Sequence, residues 1–381
     1  MRTWYFSENA YPYLPDPATF PSIRVSLPNG VYDPKIGAEL YHRYLDEWQT
    51  AEDEGLDLML NEHHQTATNL NPSAAVVLGA LARMTKKSRI LVLGNPIGNR
   101  RDPVRVAEEM AMVDNYSRGR LEVGFVRGVP YELSPANSNP VRTADRLWEA
   151  HDLILKAWTT HDGPFNFEGR YFHYRQVNIW PRPYQQPRPP VWVTASTPAQ
   201  VSKIAEHGHV AATFLTGYEA SKAIFETYRK QRAADGAPMH EDRLAYACLV
   251  YVGDTDEEGF EGARKLMWYL SANKVAPQFK NPPGYASIKS AMALLRGAPT
   301  AFDRKSSLEQ CIEMGIVFAG NPDTVYRQIA RHYEHVGGYG HLLMMGQAGF
   351  LEHDETVRGI HNFAREVYPR LKELGLPAAA R

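Results

Sequence analysis

Short apolar runs rich in β-branched and aromatic residues alternate along this chain with longer stretches whose apolar positions recur every three or four residues. TWYFS is followed by GAELYHRYLDEWQTAEDEG, LDLML by PSAAVVLGALARMT, RILVLG by PVRVAEEMAMVDNYS, and RLEVGFV by TADRLWEAHDLILKAW. The alternation continues with PVWVTA before PAQVSKIAEHG, VAATFL before YEASKAIFETYRKQRAADG, LAYACLVYVG before TDEEGFEGARKLMWYL, and GHLLMMG before HDETVRGIHNFAREVYPRL. A strand that is followed each time by a helix predicts parallel pairing through crossovers, and eight such units predict a (β/α)8 TIM barrel.

Two segments break the rhythm. Residues 161–190 carry Gly, Pro and aromatics without a helical period and predict a hairpin excursion before the fifth unit. Residues 271–305 form a long irregular insertion after the seventh unit, of the kind that serves as a lid or binding loop. The organisation expected is one barrel domain over 1–381 with these two insertions.

Composition narrows the function. Across 381 residues, 44% hydrophobic and 22% charged content fit a globular chain, and a net charge of -1 gives no footprint for nucleic acid or an anionic membrane. No stretch approaches eighteen uninterrupted apolar residues and the N-terminus has no apolar signal core, so a cytoplasmic protein acting on small molecules is expected. Cys248 and Cys311 lie in apolar contexts and read as small core hydrophobes.

In a parallel barrel the functional face lies at the carboxyl ends of the strands, so polar residues just after each strand are the candidates. After the second strand, LMLNEHHQ ends an apolar run in Glu62, His63 and His64. A metal site, a proton-transfer site and hydrogen-bonded loop residues are all open readings. No metal-ligand spacing occurs in that stretch, so no metal is expected there. Strand alternation turns only one of the two imidazoles to the barrel mouth. Gly94-Asn95-Pro96 follows the third strand and Arg127-Gly128 the fourth, with Arg142 at the start of the next helical segment. Ala195-Ser196-Thr197-Pro198 opens a helix whose free N–H groups favour an anion, although plain capping and surface ion pairing would account for each feature alone. Together they predict a phosphate site without a GxGxxG or Walker pattern.

The chain resembles the luciferase-like flavin-dependent monooxygenases, the superfamily of bacterial luciferase and the deazaflavin F420-dependent reductases. The resemblance is carried by Glu62-His63-His64, Asn71-Pro72, Asp102-Pro-Val-Arg105 with Glu108 and Asp114, Ser117-Arg-Gly-Arg120, Gly124-Phe-Val-Arg-Gly128, Arg142, Ala319-Gly-Asn-Pro-Asp323 and Val367-Tyr-Pro369. It implies a barrel that binds reduced FMN (FMNH2), with F420 as the alternative cofactor, and a monooxygenation of a small organic substrate with O2. F420-dependent hydride transfer and a non-catalytic flavin-binding protein are the rival functions.

By the same resemblance His63 is the catalytic residue, Arg127 and Arg142 hold the flavin phosphate, and Ser196 assists between Ala195 and Thr197. Gly94-Asn95 is the peptide where the family places a non-proline cis bond, and Gly128 lets backbone approach the cofactor. A separate NAD(P)H:flavin reductase is implied as partner, since no nicotinamide fingerprint is present, and homo-oligomers are common in the family. The position of luciferase's reactive cysteine is Val126, and Ala195 and Ala199 replace polar residues near the phosphate.

Overall fold

The computed structural model describes residues 1–16, 19–271, 275–286, 288 and 306–374. Its strands are β1 (Arg2–Ser7), β2 (Asp57–Leu60), β3 (Ile90–Asn95), β4 (Leu121–Phe125), β5 (Phe165–Glu168), β6 (His173–Val177), β7 (Val191–Thr194), β8 (Val210–Phe214), β9 (Leu244–Val252), β10 (Val317–Gly320) and β11 (His341–Gln347). Eight of them, β1-β2-β3-β4-β7-β8-β9-β11, pair in parallel, and β11 returns to β1 with Arg2 opposite His341. The expected barrel is present, and each of its strands lies in one of the eight apolar runs.

Those runs are nearly continuous because both faces of a barrel strand are covered. Side chains still alternate. Trp4, Phe6, Met59, Leu91, Leu93, Ala212, Ala247 and Leu343 fill the interior, whereas Tyr5, Leu58, Leu60, Ile90 and Val92 pack outward against the helices. At the amino-terminal end the interior is filled by Trp4, Trp192 and His341, with ring centroids 4.6–6.0 Å apart. Towards the carboxyl end the small side chains of Ala212 and Ala247 leave space, and that space becomes the cavity.

The helical shell follows from local signals. Helix α1 (Pro34–Asp53) starts on Asp33, whose side chain accepts from the N–H of Lys35 and Ile36, and it buries Leu40, Tyr44, Trp48 and Ala51 along one stripe. Burying the Trp48 side chain is worth about 3 kcal/mol, so this stripe outweighs helix propensity. Helix α2 spans Ala74–Met84. Helix α3 (Pro103–Ser117) is capped by Asp102 and stops at Arg118 and Gly119, both left-handed. The next residue, Arg120, reaches back to the carbonyls of Ala82, Thr85 and Ser88, fastening the end of α2 to the approach of β4. Helices α4 (Thr143–Thr159), α5 (Pro198–Glu206), α6 (Gly217–Ala234) and α7 (Asp256–Leu266) follow their strands in turn.

The structure adds detail that the periodicity did not give. Within 161–190, β5 and β6 form an antiparallel hairpin. Between α7 and β11 lie β10 and helices at Leu308–Glu313 and Pro322–His335, none of which was among the expected units. β10 is four residues long and pairs only with the outer half of β9, Leu249–Val252, so it carries too short a pattern to read. Most of the 271–305 insertion lies outside the described residues. The non-proline cis bond is at Leu93–Gly94, one peptide earlier than expected. The pairing of β3 on β4 passes from Leu93 opposite Gly124 to Asn95 opposite Phe125, so the irregularity is centred on Gly94. Cys248 and Cys311 are buried free thiols. Among the described residues no helix is long and apolar enough to cross a membrane.

Candidate active site

A cavity of about 410 Å³ opens at the carboxyl ends of the barrel strands. Its floor is apolar, made by Phe6, Met59, Leu93, Ala212, Ala247 and Leu343, and its wall includes Gly94 and Val126. A Cβ added to Gly94 would fall 2.0 Å from Cγ1 of Val126, so the glycine is what allows these two walls to approach. This volume and mix of lining suit an organic ligand with a few fixed polar contacts.

His63 reaches the cavity from the loop after β2. Its Nδ1 is 2.7 Å from Oε1 of Glu132, on the short 3-10 turn Pro130–Glu132, and the same oxygen accepts the backbone N–H of His64 at 3.2 Å. A carboxylate can only accept here, so Nδ1 carries a proton and Nε2 is left free for a ligand. Burial works against the charged imidazole, but the Glu132 carboxylate more than offsets it and raises the His63 pKa above its ordinary value. Tyr131 lies nearly parallel to the His63 ring, at 26° and 6.4 Å.

His64 turns elsewhere, as strand alternation predicts. Its Nε2–H donates to Glu62 at 2.9 Å, and Glu62 also accepts from Arg100 and from the first N–H of α2, at Ala74. Glu62 therefore secures the loop, while Glu132 orients His63.

The strand ends beneath this dyad are locked by a buried amide network. Glu8, just beyond β1, accepts from Asn61 and Asn69, and Asn69 also donates to Asn61 at 2.6 Å. A carboxylate this deep is held by two donors from the loop after β2, which fixes the ends of β1 and β2 relative to each other. Beside it, the buried guanidinium of Arg24 donates to Thr68 and to the Tyr131 hydroxyl and lies over the rings of Tyr131 and Tyr269.

Arg127 stands at the rim. Its guanidinium donates to the Thr143 hydroxyl and to the carbonyls of Pro140 and Tyr285, and it lies 3.8 Å over the Tyr285 ring. Partial burial lowers its pKa, and none of these partners is an anion. A half-buried cation bonded only to neutral oxygens is suited to an anionic group of a ligand. Opposite, Ser196 lines the cavity at the start of α5, where Thr197 is the N-cap and makes no side-chain cap bond. At that helix end the Ser196 N–H donates to the Gln200 side chain at 2.8 Å and the Gln200 N–H to the Thr197 carbonyl, which leaves the Ser196 hydroxyl and the end of the helix dipole to favour an anion.

Of the residues singled out in the sequence, His63, Gly94, Arg127, Gly128 and Ser196 all line the cavity. Asn95 is buried behind it, with neither amide atom of its side chain hydrogen-bonded. Ala195 is buried under the rim, Thr197 is exposed, and Arg142 is exposed on the 3-10 turn Pro140–Arg142, next to the carbonyl that Arg127 holds. Glu132, Glu8, Arg24 and Tyr131 were not foreseen. Glu8 directly follows β1, the place where the strand-end pattern points.

A parallel barrel with an apolar cavity at its strand ends, a histidine–carboxylate dyad and a half-buried cation at the rim is a site suited to an organic ligand that carries an anionic group. The luciferase-like monooxygenase family model matches residues 25–340, and the chain belongs to that family of flavin-dependent monooxygenases. It is 30% identical over 258 residues to the oxygenase component of the flavin-dependent trigonelline monooxygenase of Acinetobacter baylyi, covering 66% of this chain and 69% of the relative. It is 25% identical over 337 residues to the FMNH2-dependent dimethylsulfone monooxygenase of Pseudomonas putida, covering 86% of each. Among solved structures, the FMN complex of the oxygenating constituent of 3,6-diketocamphane monooxygenase from Pseudomonas putida superimposes with a TM-score of 0.72 at 19% identity, over 97% of this chain and 98% of that one.

Proposed function

We propose that this protein is the oxygenase of a two-component system, taking reduced FMN from a separate NAD(P)H:flavin reductase and inserting one atom of O2 into a small organic molecule. The observation that carries the reading is the cavity itself, which sets the oriented His63 imidazole in the same mouth as the half-buried cation of Arg127. The FMNH2-dependent relative and the relative described as an oxygenase component support the reduced cofactor and the outside reductase.

When bound, the reduced flavin supplies the electron pair by which one oxygen atom enters the substrate and the other leaves as water. The chain's own residues have four tasks. Arg127, with Ser196 and the dipole at the start of α5, would hold the phosphate, and Arg142 would add charge at the same rim. The apolar floor from Phe6 to Leu343 excludes water from the reacting end. His63, with Nδ1 held by Glu132, presents Nε2 to accept or return a proton where negative charge develops. Glu8 and its amide donors keep the strand ends at fixed spacing.

The test uses purified protein, an FMN reductase, NAD(P)H and a panel of small heterocycles and sulfones that includes trigonelline and dimethylsulfone. Under ¹⁸O2 one labelled atom should enter the product. Conversion that proceeds without O2 when reduced F420 is given would overturn the proposal, as would tight F420 binding with no affinity for FMN.

A further inference from the structure

At the amino-terminal end of β8, opposite the cavity, three histidines meet. His151 comes from α4, and His207 and His209 flank Gly208 in the turn between α5 and β8. One ring nitrogen from each lies within 4.8 Å of the others. The left-handed Gly208, at φ +66°, reverses the chain so that the rings of His207 and His209 lie parallel, at 9° and 5.4 Å. His151 faces both, at centroid distances of 4.9 and 5.0 Å.

The donor set is arranged as metal ligands are. Asp152 accepts the Nδ1 proton of His151 at 2.8 Å, which leaves the Nε2 lone pair of that ring pointing at Nε2 of His209, 2.7 Å away. A carboxylate behind a histidine in this way fixes the tautomer and raises its basicity as a ligand. Two imidazole nitrogens this close share either a proton or a cation. Tetrahedral zinc, with Zn–N bonds of about 2.0–2.1 Å, needs nitrogens roughly 3.3 Å apart. The separations here, from 2.7 Å to no more than 4.8 Å, bracket that value, and the His207 ring, stacked on Trp148, faces solvent on its open edge.

We propose that His151, His207 and His209 bind one borderline divalent ion of the zinc class, with Asp152 as the positioning residue and water completing the shell. Imidazole sets of this kind select zinc, copper or nickel over magnesium and calcium. On binding, His209 shifts its proton to Nδ1 and offers Nε2. The ion clips α4 to the turn that feeds β8. Along β8 the first residue that lines the cavity, Ala212, is three positions beyond His209, roughly 10 Å, so the ion lies outside the cavity and touches no ligand there.

The experiment is a calorimetric titration of ZnCl2 into tag-free, chelator-stripped protein, with Cu(II) electron paramagnetic resonance as a second readout. One ion per chain should bind, at micromolar or lower concentration, and raise the melting temperature. His207→Ala, an exposed change that spares the fold, should weaken zinc at least tenfold and reduce the copper spectrum from three coupled imidazole nitrogens to two. Asp152→Asn should weaken it roughly 10- to 100-fold. FMN affinity should be the same in all three proteins, which separates this site from the flavin reading. Absence of saturable one-to-one zinc binding overturns the proposal, and so does binding that His207→Ala leaves unchanged.

Discussion

Trp4 donates its indole N–H to Nδ1 of His341 at 3.1 Å, a bond that joins the first strand of the barrel to the last. The other ring nitrogen, Nε2, donates to the carbonyl of Asp242 at 3.0 Å. Both nitrogens are committed in the neutral ring, so a second proton would face the indole donor head-on.

Burial drives the His341 pKa down to about 3, despite the pull of the Asp242 carbonyl. An unfolded histidine titrates near 6.5, so the folded state binds fewer protons between the two values and stability falls as pH drops through that window. From pH 6.5 to 5 the loss from this group should be about 2 kcal/mol. Gln at this position can accept from Trp4 and donate to Asp242 without titrating. Urea midpoints at pH 7 and 5 should therefore differ less in His341→Gln than in the wild type, and an equal difference would show that His341 is not the group responsible.

His63→Ala should lower turnover by roughly 10²- to 10⁴-fold, the usual cost of a positioned acid or base, and leave FMN affinity unchanged. Steady-state rates and flavin fluorescence titration read the two effects separately. A variant with full turnover would return His63 to the role of a loop residue.

Glu132→Gln removes the carboxylate but keeps the shape. A charge-assisted hydrogen bond is worth about 1.5–3 kcal/mol, so turnover should fall roughly 10- to 100-fold. Because Glu132 is what raises the His63 pKa, the pH limb that reports His63 should move to lower pH. For stability the sign is opposite to that of His341. The favourable pairing is fully present below the unfolded value near 6.5 and fades as pH rises through the higher folded value, and Glu132→Gln should remove most of that dependence, leaving the smaller share from Glu8.

Arg127→Ala should weaken FMN roughly 10- to 100-fold and leave riboflavin nearly unaffected, since the lost contact is to the phosphate. Arg142→Ala should cost less than about tenfold, because an exposed charge is screened by solvent. Equal losses of riboflavin and FMN in the Arg127 variant would place the phosphate elsewhere.

Gly94→Ala drives a methyl group into Val126 and should destabilise the protein by about 1–3 kcal/mol. Val126→Ala in the same chain should recover most of that loss in thermal unfolding. A double variant as unstable as the single one would mean that the backbone at Gly94, not its space, sets the requirement.

The barrel was legible because its strands are buried on both faces and write themselves as apolar runs between helical periods. The candidate site was legible where a cavity-lining residue comes soon after a strand end, as His63, Arg127 and Ser196 do. Glu132 reaches His63 from 69 positions away on an irregular turn, and no local pattern announces a contact of that kind. The histidine cluster was hidden for the same reason. His207 and His209 stand two apart, but His151 lies on a helix 58 positions before His209 and looks there like any polar position.

β9 is nine residues long, and its two halves do different jobs. Up to Leu249 it closes the barrel with β8 and β11, and from Leu249 onward it carries β10. The stretch inserted between them begins at Asp256 and ends at Asn321, and these two residues are tied by a 2.8 Å hydrogen bond, so its ends are already together. Loop length then adds little to the entropy of closure. This seventh crossover, closed on itself at its base, brings Tyr269 and Tyr285 to the cavity while the barrel seam stays with β8 and β11, so the mouth is shaped from a segment that the closure of the barrel does not depend on.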